Sequence, residues 1–385
     1  MTGGVEERLA VFARAFDLPA LVRQTTRDAR AGWATALQAA GAGSIRRLVI
    51  SGCGDSLFAA VAARLAVERF AGLPCEPMDA LECGRYAAAG FGPDVAVVGV
   101  SNSGTTSRVL ESVALAARAG ARTLALTGAP DSPLHRLAAA GVARPVVAAG
   151  GPAGPTARVA RHLREYVGTL VALFALAWSL GLARGRLTER EVAREEQAVE
   201  AAAVLAQRTL QIAQDAVTPV LALVGDAERI YYLGAGPAYG TALFGAAKVV
   251  EEVPMCGVPQ HLEEWAHLEY FLTMVEGART RAVAVLPPGD STDRGAEILE
   301  AIRADGGVAI AVTSPQETAV CAAAAAVLAV DGDVWEGYAP LPYVVPLQVL
   351  GIALALHRGQ PVVPLRRRDG GRLIRASAIR GLQQA

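Results

Sequence analysis

Short apolar runs of β-type residues, each followed by a long alanine-rich stretch of helical pattern, constrain this chain more than any other feature. Between Leu48 and Val142 the runs are Leu48-Val49-Ile50, Val95 to Val100 and Thr123 to Leu126. This alternation is the signature of a parallel sheet with crossover helices. After a charged helical stretch from Thr188 to Val204 the pattern begins again, with Ile230-Tyr231-Tyr232-Leu233, Arg281 to Leu286 and Val308 to Val312. Gly52-Cys53-Gly54 ends the first strand of one half, and Gly234-Ala235-Gly236 ends the first strand of the other. An offset of about 180 residues is too long for a solenoid repeat and indicates duplication of one domain. The expected fold is α/β, with two duplicated three-layer α/β/α domains built on parallel sheets. Residues 1–185 form the first domain with an N-terminal helical segment, 186–220 a helical connector, 221–360 the second domain and 361–385 a tail.

With 385 residues, 52% of them apolar, the chain can fill two cores. A net charge of -1 and a pI near 6.6 leave no electrostatic footprint for nucleic acid. Cysteines at positions 53, 75, 83, 256 and 321 are odd in number, lack CxxC spacing and follow no secretory signal, so a reduced cytoplasm is expected. Tyr166 to Ala183 runs eighteen residues without a charge, the lower limit for a membrane span. Gly168, Thr169, Ser179 and Gly181 within it, and arginines at both flanks, favour a buried core helix and no membrane association. The alanine-rich run from Cys321 to Val330 raises the same question in a shorter form.

In open parallel sheets, ligands bind at the carboxyl ends of the strands, where loops lead into helices. Ser101-Asn102-Ser103-Gly104-Thr105-Thr106 follows the strand Val95 to Val100 and precedes a helix from Ser107 to Ala119. Its hydroxyls, free amides and helix dipole make an anion cradle suited to a phosphate monoester. Helix capping would need one hydroxyl, and this loop offers four. The Gly-Lys-Ser/Thr of a nucleotide P-loop is missing, which argues against nucleotide hydrolysis. The loop Ser51 to Ser56 can add Ser56 to the same cradle. Gly234-Ala235-Gly236-Pro237-Ala238-Tyr239-Gly240 has its third glycine misplaced for a dinucleotide fingerprint, so no cofactor is expected. In Pro287-Pro288-Gly289-Asp290-Ser291-Thr292, two prolines and an aspartate replace most of the donors, leaving one phosphate site per chain.

Lys248 is the chain's only lysine, although lysine and arginine together number 36. It lies in Ala246-Ala247-Lys248-Val249-Val250-Glu251-Glu252, a helical stretch in which either carboxylate can share a face with the ammonium. A compact ammonium with a tunable pKa does chemistry that a guanidinium cannot. An acid/base pair and an ordinary ion pair both fit the spacing.

The Ser-x-Ser-Gly-x-Thr loop after a strand, the Gly-Cys-Gly-x-Ser loop before it, the tandem duplication and the late Tyr343-Val344-Val345-Pro346-Leu347-Gln348-Val349-Leu350 segment together resemble the SIS (sugar isomerase) family. The layout is similar to the isomerase half of glucosamine-6-phosphate synthases, over roughly residues 20 to 380. The resemblance implies that Ser101, Asn102, Ser103 and Thr106, with Ser56, hold a sugar phosphate. It implies that Glu251 is the base moving a proton between C1 and C2 of the open-chain sugar, with Lys248 one turn before it and Glu252 the rival one residue away. His267, in Glu263-Glu264-Trp265-Ala266-His267, matches the ring-opening histidine, with Glu264 its neighbour. Because that histidine comes from the other subunit in the family, a homodimer with an intersubunit active site is implied, with neither metal nor cofactor.

The departures from the family are as informative. The chain opens Met1-Thr2-Gly3, without the nucleophilic cysteine of a glutaminase domain, and its tail Arg372-Leu373-Ile374-Arg375-Ala376-Ser377 has no lysine for a Schiff base. Both point away from glutamine-dependent synthesis and toward isomerisation, deamination or deglycation of a 6-phosphorylated sugar or amino sugar. Asp55 stands where the family has a hydroxyl residue, so it is expected to point away from the phosphate and to bind a sugar hydroxyl or amine. Asp55, Arg161 to Arg164 and Leu268-Glu269-Tyr270 are read as altered specificity loops. Two alternatives stay open: a non-catalytic sugar-phosphate-binding regulatory module, and a biosynthetic enzyme of the same fold acting on another sugar or cyclitol.

Overall fold

The computed structural model describes Leu9 and residues 17–143, 155–360 and 378–381. The chain divides into two compact units, one made of Ala20–Ala148, Glu165–Val199 and Arg366–Ala385, the other of Met1–Pro19, Ala149–Arg164 and Glu200–Leu365.

The first unit takes in α1 (Leu18–Ala40), β1 (Arg47–Gly52), α2 (Asp55–Ala71), β2 (Cys75–Asp79), β3 (Val95–Ser101), α3 (Ser107–Arg118), β4 (Arg122–Thr127), β5 (Ala140–Ala143) and most of α4 (Pro155–Ala183). Its sheet is wholly parallel in the order β2-β1-β3-β4-β5. The inner strands are apolar at their centres because helices cover both faces, and every residue of β3 is buried. Trp33 of α1 is completely buried and donates its indole N–H to Ala172 O of α4 at 2.8 Å, which pins the two helices together.

The second unit follows α5 (Glu189–Val224) with β6 (Arg229–Gly234), α6 (Gly236–Glu252), β7 (Cys256–His261), α7 (Leu262–His267), α8 (Glu269–Glu276), β8 (Arg281–Leu286), α9 (Thr292–Ala304), β9 (Val308–Thr313), β10 (Ala326–Ala329) and α10 (Pro340–His357). The order β10-β9-β8-β6-β7 is the first sheet's order over again, strand for strand, and it too is parallel. Both units are three-layer α/β/α sandwiches. In each, the direction of winding reverses between the first and third strands, and the crevice at that switch point is where ligands enter this architecture.

Four strands, β2, β5, β7 and β10, were not expected from the sequence. All four are sheet edges. The charged helical stretch from Thr188 is longer than its charges mark: α5 continues through Pro219 to Val224. Arg161 to Arg164 lie inside α4, and Glu269 and Tyr270 open α8, so these positions are helical rather than loops. Among the described residues, two helices are long and apolar enough to cross a membrane, His162–Ala183 and Pro340–His357, yet 89% of each apolar window is buried. The alanine-rich run at 321–330 is divided between a short helix, Thr318–Ala323, and β10.

Candidate active site

In the first unit, β3 stops at Ser101 and α3 starts at Ser107, leaving the hydroxyl-rich loop at the switch point. The loop is built from its own polar groups. Ser101 Oγ accepts from Gly104 N at 3.1 Å and lies 2.9 Å from Thr106 Oγ1, while Ser103 Oγ accepts from Thr105 N at 3.3 Å and lies 2.9 Å from Thr105 Oγ1. No side chain caps α3 from its N-cap residue, Thr106. The first-turn amides therefore remain available at the positive end of the helix dipole. Gly104 holds the turn at φ +64°, and a Cβ there would fall 2.1 Å from Ser132 Oγ. Ser132 and Thr127, two buried hydroxyls below the loop, thus demand glycine; sequence reading passed them over because they lie in the next turn of chain.

The turn after β1 forms the other wall of this crevice. Gly52 is required because a Cβ would meet Leu57 N at 2.9 Å, where α2 folds back on the strand. Ser56 lies in the first turn of α2, and Asp55 is its first residue, a position where the dipole stabilises a carboxylate. Asp55 Oδ1 is buried, and after burial itself the Asp55 charge is the second cause that pushes up the Tyr166 hydroxyl of α4. Arg108 of α3, also unread in the sequence, brings a cation close enough to oppose the upward shift of the Cys53 thiol, which burial and then Asp79 cause. Its guanidinium pairs with buried Glu111 and donates to Ala378 O at 2.6 Å. The tail positions Arg372 to Ser377 lie outside the described residues.

In the second unit, α6 carries the lysine. Lys248 is fully buried, with Nζ 4.8 Å from the Phe244 ring centre and donating to Glu251 Oε2 at 2.8 Å. The two neighbouring carboxylates differ sharply. Glu252 is 1% exposed and accepts from Gln348 Nε2 of α10 at 3.0 and 3.4 Å, whereas the Glu251 side chain is 46% exposed. Of the two, Glu251 is the one a ligand can reach.

The histidines sit elsewhere. His267, at the end of α7, is largely exposed, and its Nε2 lies 3.2 Å from Glu263 Oε1; Glu263 in turn receives Arg294 at 2.7 Å. His261, missed in the sequence because β7 was not legible as a strand, stacks on Tyr239 of α6 with ring centres 3.5 Å apart. Burial lowers its pKa, and the charge of the nearby Glu264 carboxylate opposes that shift. Strand β7 runs from the end of α6, where Glu251 lies, to the start of α7. Its six residues separate the two ends by about 17 Å. Glu251 and His267 of one chain therefore stand at opposite ends of the sheet.

A model of the SIS domain matches residues 44–161, the segment holding the hydroxyl-rich loop. The chain thus carries a SIS domain over those residues. It is 28% identical over 317 residues to the glutamine–fructose-6-phosphate aminotransferase of Methanothermobacter thermautotrophicus, covering 82% of this chain and 50% of that one. The chain thus spans about half the length of the curated relatives it matches. Among solved structures, the C-terminal domain of the Francisella tularensis glucosamine-fructose-6-phosphate aminotransferase aligns with a TM-score of 0.73 at 20% identity, over 90% of this chain and 98% of that one. The tagatose-6-phosphate ketose/aldose isomerase of Escherichia coli aligns with a TM-score of 0.69 at 17% identity, over 94% and 95%. The fold of two parallel-sheet units is shared with these solved structures.

Proposed function

We propose that this SIS-domain protein is a phosphosugar aldose–ketose isomerase or an amino-sugar-phosphate deaminase or deglycase, moving a proton between C1 and C2 of a 6-phosphorylated sugar. The observation that carries this reading is the pairing of the single, buried lysine with an accessible carboxylate, Lys248 with Glu251. In this reading Ser101, Asn102, Ser103, Thr106 and Ser56 hold the phosphate, with the α3 amides contributing. Glu251 removes and returns the carbon-bound proton, a role worth roughly 10²–10⁴-fold in rate. The ammonium of Lys248 keeps Glu251 oriented and offsets the negative charge that develops on the enediolate oxygen. Asp55 binds a hydroxyl or amine of the sugar.

The ring-opening step falls to His267, acting in the site of a second copy of the chain with Glu264 beside it. The separation of His267 from Glu251 along β7 supports a homodimer as the working unit. So does the exposed apolar row that follows His267 directly: Leu268, Phe271, Leu272, Met274 and Val275 are 47 to 81% exposed. No metal or cofactor enters the reaction, and the compartment is the cytoplasm. Turnover assays with hexose, hexosamine and fructosamine 6-phosphates test the proposal. A new ketose, aldose or free amine from any of them supports it, and binding without conversion across the panel would leave a sugar-phosphate sensor as the function.

A further inference from the structure

Because the two sheets share one topology, each has a crevice at its switch point, between β1 and β3 in the first and between β6 and β8 in the second. The turns match as well. Gly54 and Gly236, leading into α2 and α6, have φ of +55° and +50°. Gly104 and Gly289 each stand three positions before the helix that follows, α3 and α9. The second crevice, however, contains a side chain of the chain itself. A Cβ at Gly289 would lie 2.5 Å from both Cδ and Oε2 of Glu336, and one at Gly236 would lie 3.7 Å from its Oε1. The Glu336 carboxylate thus touches both turns at once, and Asp290 N donates to its Oε2 at 3.4 Å.

The crevice has few other donors to offer. Pro287 and Pro288 have no N–H, and Gly289 N is used by Thr292 Oγ1 at 2.9 Å. Glu336 takes the amide that remains at Asp290. Its backbone is anchored: it begins a short turn, Glu336–Tyr338, and the rings of the preceding Trp335 and the buried Tyr338 meet edge to face at 4.8 Å. Burial raises the Glu336 pKa, the Asp290 amide counters this, and the Asp290 carboxylate adds to it, as expected for a carboxylate held in a confined place.

We infer that Glu336 is a built-in anion: its carboxylate occupies the second switch-point crevice where a ligand oxyanion would otherwise sit, and so closes that half of the chain to phosphate. The site that it covers is one for inorganic phosphate or a phosphate monoester, and it opens when the carboxylate is removed.

Calorimetric titration with inorganic phosphate tests this in a background from which the first cradle has been removed, Ser101→Ala with Thr106→Ala. That background should bind phosphate about a hundredfold more weakly than the wild-type chain, and adding Glu336→Ala should add one weak site per chain. If Glu336→Ala adds no site, the inference is wrong. Should the triple variant not fold alone, its refolding is the readout: recovery in phosphate but not in chloride of equal ionic strength is the expected result, and no recovery in either overturns the inference. Failure of the cradle reading registers separately, as equal phosphate binding by the wild-type chain and the Ser101→Ala, Thr106→Ala background, and the effect of Glu336→Ala is still read against that level.

Discussion

Lys248 donates to Glu251 at 2.8 Å from a side chain that is 1% exposed to one that is 46% exposed. The pair spans the boundary between core and solvent: an amine held inside the fold is answered by a carboxylate that solvent can reach. Burying an ammonium costs several kcal/mol unless it is well paired. In a chain that uses arginine for every other strongly basic residue, a lysine kept at this position marks a requirement that arginine does not meet.

Glu252 has the opposite assignment. Its carboxylate is enclosed, and Gln348 is its hydrogen-bond donor across α6 and α10. Gln348→Leu leaves a buried charge short of a partner and should cost about 3 kcal/mol of stability. Denaturant unfolding of the variant checks this, and a cost below about 1 kcal/mol would mean that the bond contributes no more than an ordinary neutral one.

The proposed phosphate cradle makes a graded prediction. Ser101→Ala and Thr106→Ala each remove a hydroxyl and should weaken binding of a hexose 6-phosphate about tenfold, or about 1.4 kcal/mol. Gly104→Ala should do more, because its Cβ would fall 2.1 Å from Ser132 Oγ in a turn already at φ +64°. Calorimetric titration separates the three variants.

Buried thiols make the fold sensitive to alkali. Burial pushes Cys75 and Cys83 from 9.0 up to about 12 and about 11. In the unfolded chain these thiols ionise near pH 9, while in the native protein they stay protonated, so stability falls as pH rises above that value. Each thiol contributes up to about 1.4 kcal/mol per pH unit until its folded pKa is reached. Urea midpoints measured between pH 8 and about 11 should drop accordingly, and Cys75→Ala should flatten the slope. At pH 8 a thiol reagent should label the exposed Cys256 well before either of them.

How much of this was legible in the sequence follows from where each element lies. The six inner strands have buried, apolar centres because both faces are covered, and each was readable. The four edge strands pair on one side only: β2 and β7 therefore tolerate Pro77 and Pro259 and lack an apolar run, while β5 and β10 are only four residues long. Losing β7 meant losing His261 and its stack on Tyr239. The spacing of Lys248, Glu251 and Glu252 gave a shared helix face, but which carboxylate is enclosed depends on Gln348, nearly a hundred residues away in sequence. No local pattern encodes that contact.

The placement of His267 predicts complementation between inactive variants. Glu251→Gln and His267→Ala should each abolish turnover, and mixing them under conditions of subunit exchange should restore about a quarter of wild-type activity. Half of the dimers are then mixed, and each carries one intact site. No recovery on mixing, with exchange verified by mass, would place His267 in its own chain's site or outside the reaction.

The central claim is that Glu251 moves a carbon-bound proton, and proton NMR in D2O tests it most directly. The account predicts that the wild-type protein and the Glu252→Gln variant, provided it stays folded, incorporate deuterium at C1 or C2 of at least one hexose, hexosamine or fructosamine 6-phosphate. In Glu251→Gln the exchange should be slower by roughly 10²-fold or more. Undiminished exchange in Glu251→Gln, or no exchange into any compound by the wild-type protein, would contradict it.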